Sequence, residues 1–164
     1  MKKIAKLASA GVVGLCFAVF AADEPQKLAP KDVPAKIMQT VQARLPGAQV
    51  SSAEKETEDG KIVYDLEMTQ NGLKYEMDIK DDGTLFEIEK EVKAPKPAVT
   101  KAVMQKFPDA KISIVMEVNK VEGKKETAQH YEVTFTTGGK EKEVIVALDG
   151  SSVKEEAAES PEKK

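Results

Sequence analysis

Carboxylates recur at every second position along one stretch of the chain. Asp65 and Glu67 precede an Asn71-Gly72 pair, Glu76 and Asp78 follow it, and Glu87 and Glu89 come after Asp82-Gly83. Asn-Gly tolerates positive φ at both centres of a two-residue hairpin turn, so it signals two antiparallel strands. With that turn fixed, paired residues sum to 143, and Glu67 faces Glu76 while Asp65 faces Asp78. The hydrophobic parity around Asp82-Gly83 sets the next sum at 165, placing Asp78 opposite Glu87 and Glu76 opposite Glu89. Two rows of three acids then share one sheet face. Their cross-strand neighbours stand about 4.5–5.5 Å apart, where like charges repel. Three roles fit such a grid. It is a solvated face relieved by Lys74 and Lys80, a docking surface whose repulsion a basic partner releases, or a source of oxygen ligands for a divalent cation.

The remaining chemical inventory is thin. His130 is the single histidine, and no tryptophan is present. A nucleophilic triad would need His130 as base with a serine and an acid converging on it, and no spacing brings Ser113, Ser151 or Ser152 there. The expectation for His130 is an exposed position at a loop edge just before the Tyr131 strand. Zinc sites of the usual His/Cys type are excluded by count. The glycines of "TFTTGGK" and "ALDGSS" fall at hairpin ends and not between a strand and a helix, so neither is a phosphate loop. "DIKDDGTLFEIE" matches a calcium-loop template at Asp78, Asp82, Gly83 and Glu89, but Lys80 occupies a ligand position and the flanks read as strands. Met38, Met68, Met77, Met104 and Met116 fall at core parity and serve as filler in a core poor in aromatics. No catalytic residue, metal site or cofactor is implied.

The elements that carry these residues come in duplicate. Ile37, Val41, Leu45-Pro46 and Val50 match Val99, Val103, Phe107-Pro108 and Ile112 at an offset of 62, while Tyr64, Gly72 and Asp82-Gly83 match Tyr131, Gly139 and Asp149-Gly150 at 67. The second copy therefore carries five extra residues, assigned to an enlarged loop in "NKVEGKKETAQ". Val33, Ile37, Val41 and Leu45 are spaced by four and share one helical face, as do Val99, Val103 and Phe107. Pro34 and Pro97 suit a first turn, and Pro46 and Pro108 stop the helices. Behind them the pattern alternates with period two. Ile62, Tyr64, Leu66 and Met68 share one face, followed by Leu73, Tyr75, Met77 and Ile79, and by Phe86 and Ile88. In copy two the core faces read Ile112, Ile114, Met116 and Val118, then Tyr131, Val133 and Phe135, then Val144, Val146 and Leu148. Positions matching the acidic grid are Glu132, Ile145 and Lys154, and Thr134, Glu143 and Glu156, so the second copy does not repeat it.

The chain begins with a basic head (Lys2, Lys3, Lys6) and an apolar core from Leu7 to Ala22, short for a membrane span of about 20 residues. It fits a signal peptide cleaved after Ala21, with an uncleaved anchor as the alternative. Cys16 lies in "VGLC", where Leu15 departs from a lipobox, and is expected to leave with the leader. Cleavage removes three lysines and no acid, so the formal charge moves from −3 to −6. That balance argues against nucleic acid, and without cysteine the mature fold relies on packing alone.

The two helix ends Leu45-Pro46-Gly47-Ala48 and Phe107-Pro108-Asp109-Ala110, the Tyr64 and Tyr131 strands and the Asp-Gly turns together resemble the PepSY-like, beta-lactamase-inhibitor-like family. The resemblance implies tandem repeats in one curved sheet, helices on the outer side, a concave face that grips a partner, and no catalytic residues. Related domains are propeptide or inhibitor modules of secreted peptidases. The expected fold class is α+β: two tandem αββββ repeats, antiparallel sheets with one short helix packed on each. The expected domains are a signal peptide (1–21), a flexible lead-in (22–32), repeat 1 (33–92), repeat 2 (93–156) and a disordered tail (157–164). The expected protein is secreted or periplasmic, non-catalytic, without a stable membrane span after leader removal. It would bind a basic protein partner through Asp65, Glu67, Glu76, Asp78, Glu87 and Glu89. The alternatives are an inhibitor or chaperone of a secreted peptidase, and a divalent-cation binding or envelope-sensing protein.

Overall fold

The computed structural model describes residues 25–58 and 60–155. The expected signal peptide with Cys16 and the expected tail at 157–164 lie outside the described residues. Strand β1 (Gln26–Leu28) and a 3-10 turn (Pro30–Asp32) lead into α1 (Ala35–Arg44) and strands β2 (Gln49–Glu58), β3 (Lys61–Gln70), β4 (Leu73–Lys80) and β5 (Leu85–Glu91). Then come α2 (Pro97–Lys106), β6 (Lys111–Glu122), β7 (Lys125–Thr137), β8 (Lys140–Ala147) and β9 (Val153–Glu155). The lead-in is thus ordered at Gln26–Leu28, which pairs antiparallel with Ala53–Lys55.

Among the described residues the fold is mixed α+β with a single antiparallel sheet, its nine strands in sequence order. One sheet is what the family resemblance implied, and it replaces the separate sheets of the stated fold class. Strand β5 pairs with β6 from Glu87↔Lys120 to Glu91↔Met116. The join satisfies two edges that would otherwise present unpaired amides and carbonyls.

Both helices end in the same way. Leu45 (φ −127°, ψ 78°) and Phe107 (φ −131°, ψ 84°) leave the α region ahead of their prolines. Each donates its amide to the carbonyl four residues back, at 2.7 Å to Val41 and 2.8 Å to Val103. Ala48 and Ala110 then close the turn onto Leu45 and Phe107, both at 3.0 Å. The Asp-Gly turns also correspond. Asp82 Oδ1 accepts from the Thr84 amide and Asp149 Oδ1 from the Ser151 amide, both at 2.9 Å. Each turn lies against its helix. Thr40 Oγ1 donates to the Gly83 carbonyl at 2.8 Å, and a Cβ on Gly150 would stand 2.5 Å from the Ala98 carbonyl oxygen.

One face of the sheet carries two cores. Ile37 and Val41 of α1 pack on Tyr64, Leu66, Met68, Tyr75, Met77 and Ile79. Val99 and Val103 of α2 pack on Val115, Tyr131, Val133, Phe135, Val144 and Val146, with Phe107 tilted against Phe135 at 4.8 Å between ring centroids. A helix of three turns is marginal in water, so this burial is what holds it.

Two expected parities are inverted by bulges. In β5 a register shift between Asp78 and Ile79 leaves Phe86 as the extra residue, so Leu85 packs against the first core and Phe86 lies under the Lys80 ammonium at 5.5 Å. In β6 a shift between Ile112 and Ile114 makes Ser113 the extra residue. Ile112 and Val115 reach the core, while Ile114, Met116 and Val118 turn to the opposite face. A bulge flips the side-chain period for the rest of the strand. The five extra residues do not form a loop. They lengthen β6 and β7 into a hairpin that turns at Gly123, tucks Val121 into the first core and pairs Glu126 with Arg44 at the end of α1.

Candidate binding face

The face opposite the helices brings the six predicted carboxylates together in the expected register. Asp65 faces Asp78, which faces Glu87; Glu67 faces Glu76, which faces Glu89. Regular alternation through β3 and β4, fixed by the Asn71-Gly72 turn with Asn71 at φ 52°, keeps Tyr64, Leu66 and Met77 on the core side and these acids on the other. The rows extend further than the sequence indicated. Ser52 continues the row of Glu67 on β2, and Val118, His130 and Ala147 continue it through β6, β7 and β8. The adjacent row runs Glu91, Met116, Glu132, Ile145 and Lys154.

This is not an open, fully solvated surface. Glu89 is 7% exposed, Glu132 2%, Met116 5% and Val118 0%, although the helices cover the other face. Glu76 is half-buried. Burial pushes its carboxyl up to about 8, with the negative charges of Asp65, Glu67, Glu132 and Glu143 adding to the effect. At the rim Glu91 behaves oppositely. Hydrogen bonds from the Lys93 ammonium and the Lys74 amide (3.0 Å to Oε2) hold its carboxyl below the usual range.

His130 lies inside β7, opposite Val118 and Ala147, and not at a loop edge. The lengthened hairpin carries the strand five residues further back, to Lys125. Its Nε2 stands 3.3 Å from Glu132 Oε1. Ser113 Oγ donates to the Thr134 carbonyl at 3.0 Å and Ser51 Oγ to the Glu67 carbonyl at 3.2 Å, so both hydroxyls tie down bulges. Tyr131 Oη donates to Glu117 Oε2 at 3.0 Å on the core face. Among the described residues, no group of three or more His, Cys, Asp or Glu side chains is arranged to hold a metal ion, and no helix is long and apolar enough to cross a membrane. Sequence reasoning missed Met116 and Val118 as parts of this face, having placed both in the core. The signal that could have found them is the polar Ser113 interrupting an apolar run at the position that matches Ser51.

Residues 34–91, from the start of α1 to the end of β5, match the family described as "Peptidase propeptide and YPEB domain". These residues, about a third of the chain, are similar to that domain. The whole fold is similar to a DUF2874 family protein from Bacteroides uniformis, with 13% identity, a TM-score of 0.53, and coverage of 73% of this chain and 85% of that one. It is also similar to a protein from Bacteroides eggerthii provisionally assigned to the periplasm (14%, TM-score 0.55, 73% and 84%). A BLIP-like protein from Bacteroides fragilis aligns as well (14%, TM-score 0.50, 80% and 91%). No curated protein matches the chain.

Proposed function

We propose that this protein is a non-catalytic binding module outside the cytoplasm, and that the face opposite its helices recognises a basic segment of a partner protein. The single observation that carries the reading is the register, which sets Asp65 beside Asp78 and Glu87, and Glu67 beside Glu76 and Glu89, on one face. Like charges so placed repel, and an ammonium or guanidinium group lowers that repulsion on contact; the Glu76 carboxyl, pushed up to about 8 by burial and neighbouring acids, agrees. The apolar side chains Met116 and Val118 beside the acids give that segment a non-polar footing as well. We infer also that the two halves are copies of one α-β-β-β-β unit, supported by the matching helix ends, Asp-Gly turns and serine bulges.

A lysine- and arginine-rich peptide, titrated against the protein by fluorescence anisotropy, tests the reading. Binding is expected, weakening with salt, and is lost when Asp65, Glu67, Glu76 and Asp78 become Asn or Gln. Equal binding by that variant removes the grid from the account. A second reading, an inhibitor or chaperone of a secreted peptidase, draws on the propeptide description of the matched family. It fails if micromolar excess slows none of a panel of secreted peptidases and aids the refolding of none.

A further inference from the structure

Among the described residues the sheet ends in two short strands, β1 and β9, each of three residues. A sheet edge presents amides and carbonyls with which another chain can pair, so what holds each end strand decides where a partner can enter. Strand β9 is pinned by side chains. Val153 packs against the second core, Lys106 Nζ donates to the Val153 carbonyl at 3.1 Å, and Lys106 and Lys142 reach the Glu155 carboxylate at 3.5 and 3.2 Å. Strand β1 sits more lightly. Gln26 and Lys27 are exposed and Leu28 is half-buried against the first core. The three residues pair with only Ala53–Lys55 of the ten-residue β2, and Pro25 before them has no amide with which to extend the ladder. A segment that buries so little apolar surface opens at low cost.

The side chains of β1 nevertheless fit both rows of the sheet. Lys27 stands opposite Glu54, and that row continues through Asp65, Asp78 and Glu87 to Lys120. Leu28 stands opposite Ala53, whose row runs through Leu66, Met77 and Ile88 in the first core. A cation thus meets the acidic row and an aliphatic side chain meets the core row. Strand β2 asks for the cation twice. Glu54, 7% exposed, and Glu56 alternate along its acidic side, and Glu58 beyond them faces Lys61.

We propose that β1 is a displaceable stand-in for the partner: an extended segment of the partner protein adds antiparallel to β2 in its place. That segment carries a lysine or arginine where Lys27 stands, another opposite Glu56, and an aliphatic side chain where Leu28 stands. Main-chain hydrogen bonds along the edge supply affinity, and the alternating side chains select the partner. Strand addition rests on the basic-segment reading for its partner and specifies how the segment is held, at the edge and in register with the acidic rows.

The test is fluorescence anisotropy of a short labelled peptide that alternates lysine with leucine, titrated with the protein. Two further versions carry backbone N-methyl groups, one on its lysines and the other on its leucines. Only alternate amides of an antiparallel strand point at a given neighbour. One methylated version should therefore lose about tenfold or more in affinity while the other binds like the unmethylated peptide. Equal affinities of the two versions overturn strand addition. Lys27→Glu sets like charges opposite each other at Glu54, and should tighten peptide binding several-fold by loosening β1. Lys27 is exposed, so the fold does not depend on it. Lys31→Glu, the same change of charge in the exposed 3-10 turn, should leave the affinity in place. Equal effects of the two substitutions, or none from Lys27→Glu, overturn the displacement of β1. If the alternating peptide fails while a lysine- and arginine-rich peptide without that pattern binds, strand addition falls and the partner reading stands; if neither binds, both fall.

Discussion

The two halves of the sheet agree on one face and differ on the other. Against the helices they match in helix ends, in turns and in the serine that ties down each bulge, Ser51 and Ser113. On the opposite face the first half presents acids in both rows, whereas the second presents Ile145 and Ala147 beside Glu132, Glu143 and His130. The agreement follows from packing, because a core tolerates little change in shape or volume. The difference shows that the fold does not require the acidic grid, since the second half forms the same strands without it.

Core substitutions should break the comparison most severely and equally in both halves. Phe135→Ala, at a fully buried ring tilted against Phe107, is expected to cost about 3–5 kcal/mol, and Leu66→Ala in the first core about 2–5 kcal/mol, by denaturant unfolding. If one substitution were silent, the two cores would not be equivalent supports.

The face opposite the helices should separate the halves by pH. Burial and the neighbouring acids push the Glu76 carboxyl up to about 8, against an ordinary value of 4.5. Between those values the native state binds more protons than the unfolded one, so this group's contribution falls as pH rises, with the full penalty, a few kcal/mol at most, present above about 8. Glu91, whose carboxyl is lowered, works the other way: its contribution is present above the unfolded value and lost as pH falls through the native one. Glu76→Gln is expected to raise the melting temperature at pH 8 and to leave it unchanged near pH 4, while Glu91→Gln lowers it at pH 8. Identical pH profiles for parent and Glu76→Gln would show that the grid is not strained.

The smallest contrast lies in the turns. Gly83 and Gly150 both have positive φ, at 83° and 75°, so an alanine at either costs about 1 kcal/mol in backbone strain. At Gly83 the new methyl meets only the flexible Lys36 side chain at 3.1 Å, whereas at Gly150 it meets the Ala98 carbonyl oxygen at 2.5 Å. Gly150→Ala should therefore destabilise by roughly 1 kcal/mol more than Gly83→Ala. Equal losses would mean that α2 yields as easily as the lysine.

Local chemistry made much of this protein legible from its residues. Asn71-Gly72 and Asp82-Gly83 set turns, and with them the pairing of Asp65 with Asp78 and of Glu67 with Glu76, because a two-residue turn leaves only one register. Pro46 and Pro108 ended the helices through steric clash with the preceding residue. Tertiary structure decided the rest. The joining of β5 to β6 made one sheet, since pairing two edges is a long-range choice that no window of sequence contains. The bulge at Ser113 inverted Ile114, Met116 and Val118, because one inserted residue changes parity without changing composition. The burial of Glu89 and Glu132 on the face opposite the helices was likewise a tertiary outcome, because alternation assigns a residue to a face and not its exposure, so an acidic face that reads as solvated is partly buried.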